Sequence, residues 1–573
     1  MDKIKLNLPP KAFETGSTAA IDSYGRIVPT ASNPRDGKTT CLFYFLTGGQ
    51  HSINDEKIHD VAQLSLYKPE ELWNPQGTPN SPVFSTHYWG EPLFGYYNSE
   101  DEYVLRRHAK MLTYADIDFL IFDTTNHVTY DNVCLKLMEI FDEYRLQGFK
   151  VPKFAYYTNT ESGDTINHLY NLIYKPGKYK ELWYTVDGKP LIAGVSSDVS
   201  KEILDFFYFK ESQWPNVPDV ANGFPWIDWR LDQLDYEGIV NVSVSQHNDL
   251  PFSNVYYYPD THKNRGRGWD GEKNCPEGVD KGYNFERQWE NALSMDPDMI
   301  FVTGWNEWTM GKYTSGEGKD KKISFVDNYN KEYSRDSEPM KGGYADSFYL
   351  QLIKNNRLYK YDDIGSTDNG RFEGIKDNEA RNIDIFGDIK QWEKVNGIYA
   401  DFAGDAAKRD YKGAIKSLHY VDNSGRNDFS DLRVACDKDN IYFMALTEDM
   451  ITTWDGQSEN WMNLLFNIDY PDASGFGGFK YIVNRHPGEN TASLEVSMGG
   501  YHWHKVTDIQ CRIFKNTIQL SIPRRYVEAQ GHPFKLYFKW ADNIQKPDDI
   551  NDYYVSGDSA PIGRLAYAFG CEF

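Results

Sequence analysis

From about residue 40 to residue 303, short apolar runs of strand type alternate with helix-patterned segments, and this alternation limits the fold more than any other feature of the chain. Seven runs are well marked, at 40–46, 118–123, 153–158, 190–195, 205–210, 239–245 and 299–303. Each is too short for a stable helix and rich in β-branched and aromatic residues, so each reads as a buried strand. The segments 101–115, 130–147, 165–174 and 285–294 read as helices. In the first, Val104, His108, Met111 and Leu112 share one face, and Asn98 or Ser99 is placed to cap it. Gly148 supplies the stop of the second. Strands separated by helices pair in parallel, because a parallel pair needs a long crossover. With a doubtful eighth strand around Trp226, the pattern predicts a (β/α)8 TIM-like barrel, with a doubly wound open sheet as the alternative. No Gly-x-Gly-x-x-Gly or Gly-x-x-x-x-Gly-Lys sequence follows a strand, which argues against a nucleotide site.

A helix at 346–358 is placed to close the barrel. Beyond residue 383 the strands recur with short connections and no comparable helices, at 431–436, 440–446, 461–469, 478–483, 493–498, 506–514, 517–521 and 534–541. That is the pattern of an all-β sandwich. The expected organisation is a lead-in at 1–37, a barrel at 38–360, a linker at 361–382 and a β-sandwich at 383–573. A chain of 573 residues is too long for one ordinary core, which agrees with two domains.

The net charge of -23 argues against nucleic acid and anionic membrane surfaces as partners. No run of about 18 apolar residues offers a membrane span, and residues 1–10 lack the apolar core of a signal peptide. The cysteines Cys41, Cys134, Cys275, Cys436, Cys511 and Cys571 form no Cys-x-x-Cys pair, which excludes a zinc ribbon and a dense disulfide framework. Free buried thiols are expected, with room for one disulfide in the last third. No metal site is expected in the barrel; a structural calcium near Asp437 and Asp439 is the one cofactor considered.

The candidate chemistry sits at strand ends, where barrel enzymes keep it. The run from Met299 to Thr303 leads through Gly304 to Trp305, Asn306, Glu307 and Trp308, a carboxylate and an amide between two indoles. Indole faces suit the C–H faces of sugar rings, and Asn and Glu suit hydroxyls, so a glycan ligand is expected; a buried Glu paired with an Arg or Lys under a tryptophan cap is the structural alternative. The other strand ends contribute Asp123, Asn126, Tyr157, Asn159, Asp228, Gln246 and His247, and the loop at 87–92 adds His87 and Trp89. Glycoside cleavage uses two carboxylates. Glu307 is the first, and Asp123, Asp228 and Glu211 compete for the second. No Gly-x-Ser-x-Gly elbow and no His-x-x-x-His pair is present.

The stretch Gly304 to Gly311 resembles the glycoside hydrolase family 99 endo-α-mannosidases and endo-α-mannanases, with weaker likeness at 87–92, 119–123 and 334–340. The C-terminal region is similar to family 9 carbohydrate-binding modules around Ala435 to Phe443 and Trp540 to Asn543. The resemblance implies a barrel, an α-linked glycan substrate, and a secreted, periplasmic or cell-surface place in a glycan-degrading bacterium. It implies a first glutamate that helps the substrate's 2-hydroxyl attack the anomeric carbon, matched by Glu307, and a second, three residues on, that protonates the leaving oxygen. The second position is Met310, which holds no proton. Glu338, Asp336 and Asp327 are candidates to replace it, and a non-catalytic glycan-binding barrel is the rival reading. In the sandwich, Trp454, Trp461, Trp503 and Trp540 are candidate sugar platforms, set against a purely structural role.

Overall fold

The computed structural model describes residues 2–48, 56–366, 371–469, 471, 474–529, 531 and 533–573. Eight parallel strands form the N-terminal barrel: β1 Thr39–Tyr44, β2 Phe119–Thr124, β3 Lys153–Thr158, β4 Lys189–Gly194, β5 Tyr208–Gln213, β6 Gly223–Pro225, β7 Ile239–Ser243 and β8 Met299–Trp305. Seven of the eight neighbour pairs share a parallel ladder, including β8 with β1. The seam between β6 and β7 is closed by side chains instead. Asn241 Nδ2 donates to the Trp226 carbonyl at 3.0 Å, Thr303 Oγ1 donates to the same carbonyl at 2.9 Å, and the Asp228 N–H donates to Asn241 Oδ1 at 3.3 Å.

Period-two alternation sorts the strand residues. Cys41, Phe43, Phe119, Ile121, Ala155, Tyr157, Leu191, Ala193 and Phe301 fill the barrel interior. Leu42, Tyr44, Leu120, Phe122, Tyr156, Ile192, Ile300 and Val302 face the helices. The outer layer includes α1 Glu102–Tyr114, α2 Asp131–Gln147, α3 Ser162–Leu169, α4 Lys201–Phe206, α5 Tyr283–Met295 and α6 Ser347–Lys360. Asp101 caps α1 by accepting from the Tyr103 N–H, and the same carboxylate holds the buried Arg409 Nε at 2.8 Å. The strand expected at 205–210 lies three residues later, because Lys201–Phe206 satisfies its own backbone as a helix capped by Ser200.

The C-terminal region is the β-sandwich that the short strands predicted, in antiparallel order from Gly397–Ala400 through Phe429–Cys436, Asn440–Thr447, Thr517–Pro523, Trp503–Phe514, Thr491–Ser497, Tyr481–Pro487, Asn463–Ile468 and Phe534–Asp542 to Ala566–Cys571. Two distant segments complete it. Thr18–Ile21 pairs antiparallel with Ala566–Cys571, and Ile375–Asp377 runs parallel to that same strand. Residues from the expected lead-in and linker thus carry sheet edges; Tyr361–Ile364 also pairs with Ala31–Pro34. Cys436 and Cys571 form a disulfide, so the expectation of free thiols fails for this pair, which sits on two strands of one sheet; Cys41, Cys134, Cys275 and Cys511 are buried thiols. Trp461 and Trp540 belong to the sandwich core, and only Trp454 and Trp503 of the four candidate platforms are partly exposed.

Barrel and sandwich meet along α1. Phe402 stacks on Phe149 at 3.7 Å, Tyr114 and Tyr567 share a hydroxyl contact at 3.0 Å, and Arg564 Nε holds Asp346 at 2.9 Å. Among the described residues no helix is long and apolar enough to cross a membrane.

Candidate active site

The last layer of the barrel interior carries Asp123 and Tyr157, which are paired in register, and β8 delivers Glu307 just beyond its end. Asn306 makes the turn with φ 59°, a left-handed conformation that asparagine tolerates, and its Oδ1 accepts the Phe45 N–H at 2.9 Å. Glu307 is nearly buried and faces a fully buried arginine. Arg335 donates through Nη2 to Oε1 at 2.7 Å and through Nε to Oε2 at 3.2 Å, a bidentate fork. The third guanidinium nitrogen, Nη1, donates to His247 Nε2 at 2.9 Å, and Asp327, with 48% of its side chain exposed, lies 3.6 Å from Nη2. Burial raises the Glu307 carboxyl to about 7; Arg335 opposes the shift and Asp327 adds to it.

Because Arg335 is always a donor, His247 Nε2 accepts and its proton sits on Nδ1. That buried Nδ1–H has no acceptor among the described residues. Nor has the indole N–H of Trp226, whose ring lies 4.8 Å below the Arg335 guanidinium, or that of Trp229, which touches His247 edge-on at 5.2 Å. Burial, then Arg335, holds the His247 imidazole well below its usual range, so it is neutral. Asp123 accepts from the Thr125 N–H and hydroxyl at 3.0 and 2.7 Å, and burial raises its carboxyl. Asn126 is exposed at the same rim, bonded to the Tyr130 hydroxyl at 3.1 Å.

Several sequence candidates lie behind the site instead. Trp305 is fully buried, packed edge-on against His108 and Tyr349. The register shifts between Thr303 and Trp305, which turns the indole outward toward the helices. Trp308 stacks on Trp89 at 4.4 Å; its own N–H goes to Glu338 at 2.6 Å, and Trp89 donates to the Glu307 carbonyl at 2.8 Å. These three indoles are scaffold, since protein covers both their faces and edges. His87 is buried against Ser81 and the Ser85 carbonyl, and burial followed by the nearby His59 lowers its imidazole to about 3. Tyr157 lies inside the barrel, donating to the Phe224 carbonyl at 2.8 Å, and Gln246 bridges the Asp228 carbonyl and Arg265. The Asp228 carboxylate caps the N–H groups of Arg230 and Leu234, both at 2.9 Å, which makes it a loop former. Glu211 accepts from the Ser196 N–H at 3.3 Å, and Asn159 accepts from Ser212.

Of the downstream acids, Asp336 and Glu338 are buried under the turn. Asp336 accepts the backbone N–H groups of Glu307 and Glu338. Glu338 accepts from Tyr97 and Trp308 and lies 3.0 Å from His108 Nε2. Asp327 alone of the three opens to solvent beside Glu307. Met310 is buried in a two-strand ladder with His87, packed into the core that contains Trp308. Asp327 was a sequence candidate for the missing acid, whereas Arg335 was not expected at the site. Both arrive on a return loop, 28 and 20 positions beyond Glu307, where no periodic pattern marks them.

In the sandwich, the Asp437 carboxylate accepts from the N–H groups of Asp439 and Asn440, from Asn382 and from Tyr442, all within 2.8 Å. It makes a turn, with no free oxygen left for the calcium considered there.

No family model matches the chain, and no curated protein matches it. Among solved structures it is similar to a glycoside hydrolase family 99 endo-α-mannosidase from Bacteroides thetaiotaomicron in complex with BIS-TRIS-propane, at 12% identity and a TM-score of 0.32, over 56% of this chain and 97% of that one. A second structure of such an endo-α-mannosidase from Bacteroides thetaiotaomicron is 14% identical with a TM-score of 0.33, over 56% of this chain and 96% of that one.

Proposed function

We propose that this protein is a glycoside hydrolase that cleaves an α-linked polysaccharide or glycoconjugate, with Glu307 as its key carboxylate. The supporting observation is the position of Glu307 at the C-terminal mouth of the barrel, where burial brings its carboxyl to about 7 beside buried N–H donors of His247 and Trp226 that lack acceptors among the described residues. Such donors suit sugar hydroxyl and ring oxygens. In this reading Glu307 takes the proton of the attacking hydroxyl. Asp327, the exposed acid nearest Arg335, protonates the leaving oxygen in place of the residue at Met310, and Asp123 lines the floor. Asn126 and Asn306 contribute polar contacts at the rim and turn.

A non-catalytic glycan-binding barrel is the second reading, favoured by two observations: Arg335 engages both Glu307 oxygens, and Met310 is buried in the core. The sandwich is proposed as a carbohydrate-binding-module-like domain, with Trp454 and Trp503 as its remaining platforms. The Cys436–Cys571 disulfide fits a secreted, periplasmic or cell-surface location, where oxidation persists.

The deciding experiment is product release from a panel of bacterial, fungal and plant polysaccharides with wild type and Glu307→Gln. Cleavage lost by about 10²–10⁴-fold in the variant supports the hydrolase. Absence of cleavage with retained binding of a panel glycan supports the binding barrel.

A further inference from the structure

Where the barrel meets the sandwich, three buried aspartates converge from two segments of the chain. Asp401 and Asp405 follow the strand Gly397–Ala400, and Asp558 opens the short strand Asp558–Ala560. One carboxylate oxygen of each lies within 4.8 Å of the other two. All three residues are at least 97% buried, at 3%, 1% and 1% exposure.

The cations in the neighbourhood do not satisfy them. Lys110 of α1 donates to Asp401 Oδ2 at 3.0 Å, to Asp405 Oδ2 at 2.6 Å and to the Ser559 carbonyl at 3.1 Å. An ammonium has three protons, so Lys110 is saturated. Arg107 lies 3.5 Å from the same Asp405 Oδ2 and otherwise serves the Asp405 and Gly557 carbonyls. Lys539 is spent on Ser559 Oγ and on the Pro561 and Gly563 carbonyls. Asp558 Oδ2 accepts the Phe429 N–H at 2.7 Å, which fixes the carboxyl and leaves Oδ1 over. Among the described residues, Asp405 Oδ1 and Asp558 Oδ1 have no hydrogen-bond partner, and neither has the Oδ1 of neighbouring Asp428, whose other oxygen is held by the Gly404 N–H at 2.7 Å. The pattern repeats at Asp405, Asp558 and Asp428, where one oxygen is anchored and the other is buried and unbonded, whereas Asp401 faces Lys110 Nζ with both oxygens, at 2.9 and 3.0 Å. Leaving buried acceptors unmatched is costly, and a hard cation is the group that matches several carboxylate oxygens at once.

We propose that Asp401, Asp405 and Asp558 bind one calcium ion where the sandwich faces helix α1 of the barrel. Two Ca–O bonds of about 2.3–2.6 Å bridge oxygens at the observed spacing, and an all-carboxylate set selects a hard ion over zinc or copper. Asp428 supplies a fourth acidic oxygen next to the site. The proposal concerns a site remote from Glu307 and is independent of any activity there.

The test uses the full chain, stripped with EGTA and then titrated with CaCl2. Metal analysis after gel filtration should find one calcium per chain, and the melting temperature should rise by about 5 °C. Asp558→Asn keeps the size of the side chain and removes a charged ligand; it should weaken calcium uptake at least tenfold and abolish the melting shift. Absence of calcium uptake and of an EGTA-sensitive melting shift in the wild type would overturn the proposal and leave Lys110 and Arg107 as the counter-ions. Uptake that Asp558→Asn leaves unchanged would overturn the placement. If that variant does not fold, Asp405→Asn and the wild-type titration, followed by tryptophan-sensitised terbium luminescence, decide the matter in the same terms.

Discussion

At the scale of single residues, the Glu307–Arg335 fork sets the chemistry that the barrel mouth can perform. A carboxyl at about 7 is half ionised near neutrality, so a base in this position gains activity as pH rises through that value. The acid limb of kcat/KM should therefore fall near pH 7. In Arg335→Gln the charge that pulls Glu307 down is gone, and the limb should move to higher pH while activity at pH 6 drops; a pH–rate series on both proteins checks the direction. Asp327→Asn should cost about 10²-fold in kcat on substrates with poor leaving groups and much less on aryl glycosides, whose leaving oxygen needs no proton. Glu307 itself is legible in the sequence, because an apolar strand that ends in polar and aromatic residues has a physical reason to do so. Its arginine is not, since the loop that returns Arg335 has no period to follow. The tryptophans mislead for a related reason. A shift of one residue at the end of β8 exchanges inside for outside, and no local pattern announces that shift.

Among the elements, β8 tolerates little change at its glycine. A Cβ on Gly304 would stand 3.0 Å from the Phe45 ring and 3.1 Å from the Phe43 carbonyl, so the backbone of β1 would have to give way. Gly304→Ala should lower the melting temperature and, by displacing the next turn, also reduce ligand binding at Glu307. At α1, Asp101→Ala removes both the cap and the partner of buried Arg409. The cap contributes about 1 kcal/mol, and stranding a buried cation costs about 3–5 kcal/mol. Asp101→Asn retains the cap and should melt between that variant and the wild type. Most elements were readable from periodicity: β3 falls at 153–158 as expected, and the helix expected at 130–147 is Asp131–Gln147. The others are short or atypical. Gly223–Pro225, the eighth strand expected around Trp226, has only three residues, and the unexpected strands Gly397–Ala400 and Ala566–Cys571 are rich in glycine and alanine, so their strand character comes from their neighbours rather than from their own side chains.

For the whole molecule, the barrel-then-sandwich order was legible because the alternation of strand and helix stops near residue 383. The pairing of Thr18–Ile21 and Ile375–Asp377 with the last strand was not, because a strand does not encode how far along the chain its partner lies. Residues 383–573 expressed alone lack both of these edges and should fail to give one cooperative melting transition, whereas the full chain should give it; differential scanning calorimetry distinguishes the two. Reduction of Cys436–Cys571, which closes a loop of 135 residues, should lower stability by about 5 kcal/mol on the chain-entropy account, seen as an earlier urea midpoint in dithiothreitol. The antiparallel pairing of Ala19 with Ala566 also bears on how the protein is made. A ribosome adding about 5–20 residues each second finishes the partner of that strand roughly half a minute to two minutes after releasing the strand itself. For that interval Thr18–Ile21 has only the short strand Ile27–Val28 to pair with, and its other edge waits for Ala566–Cys571 to be made.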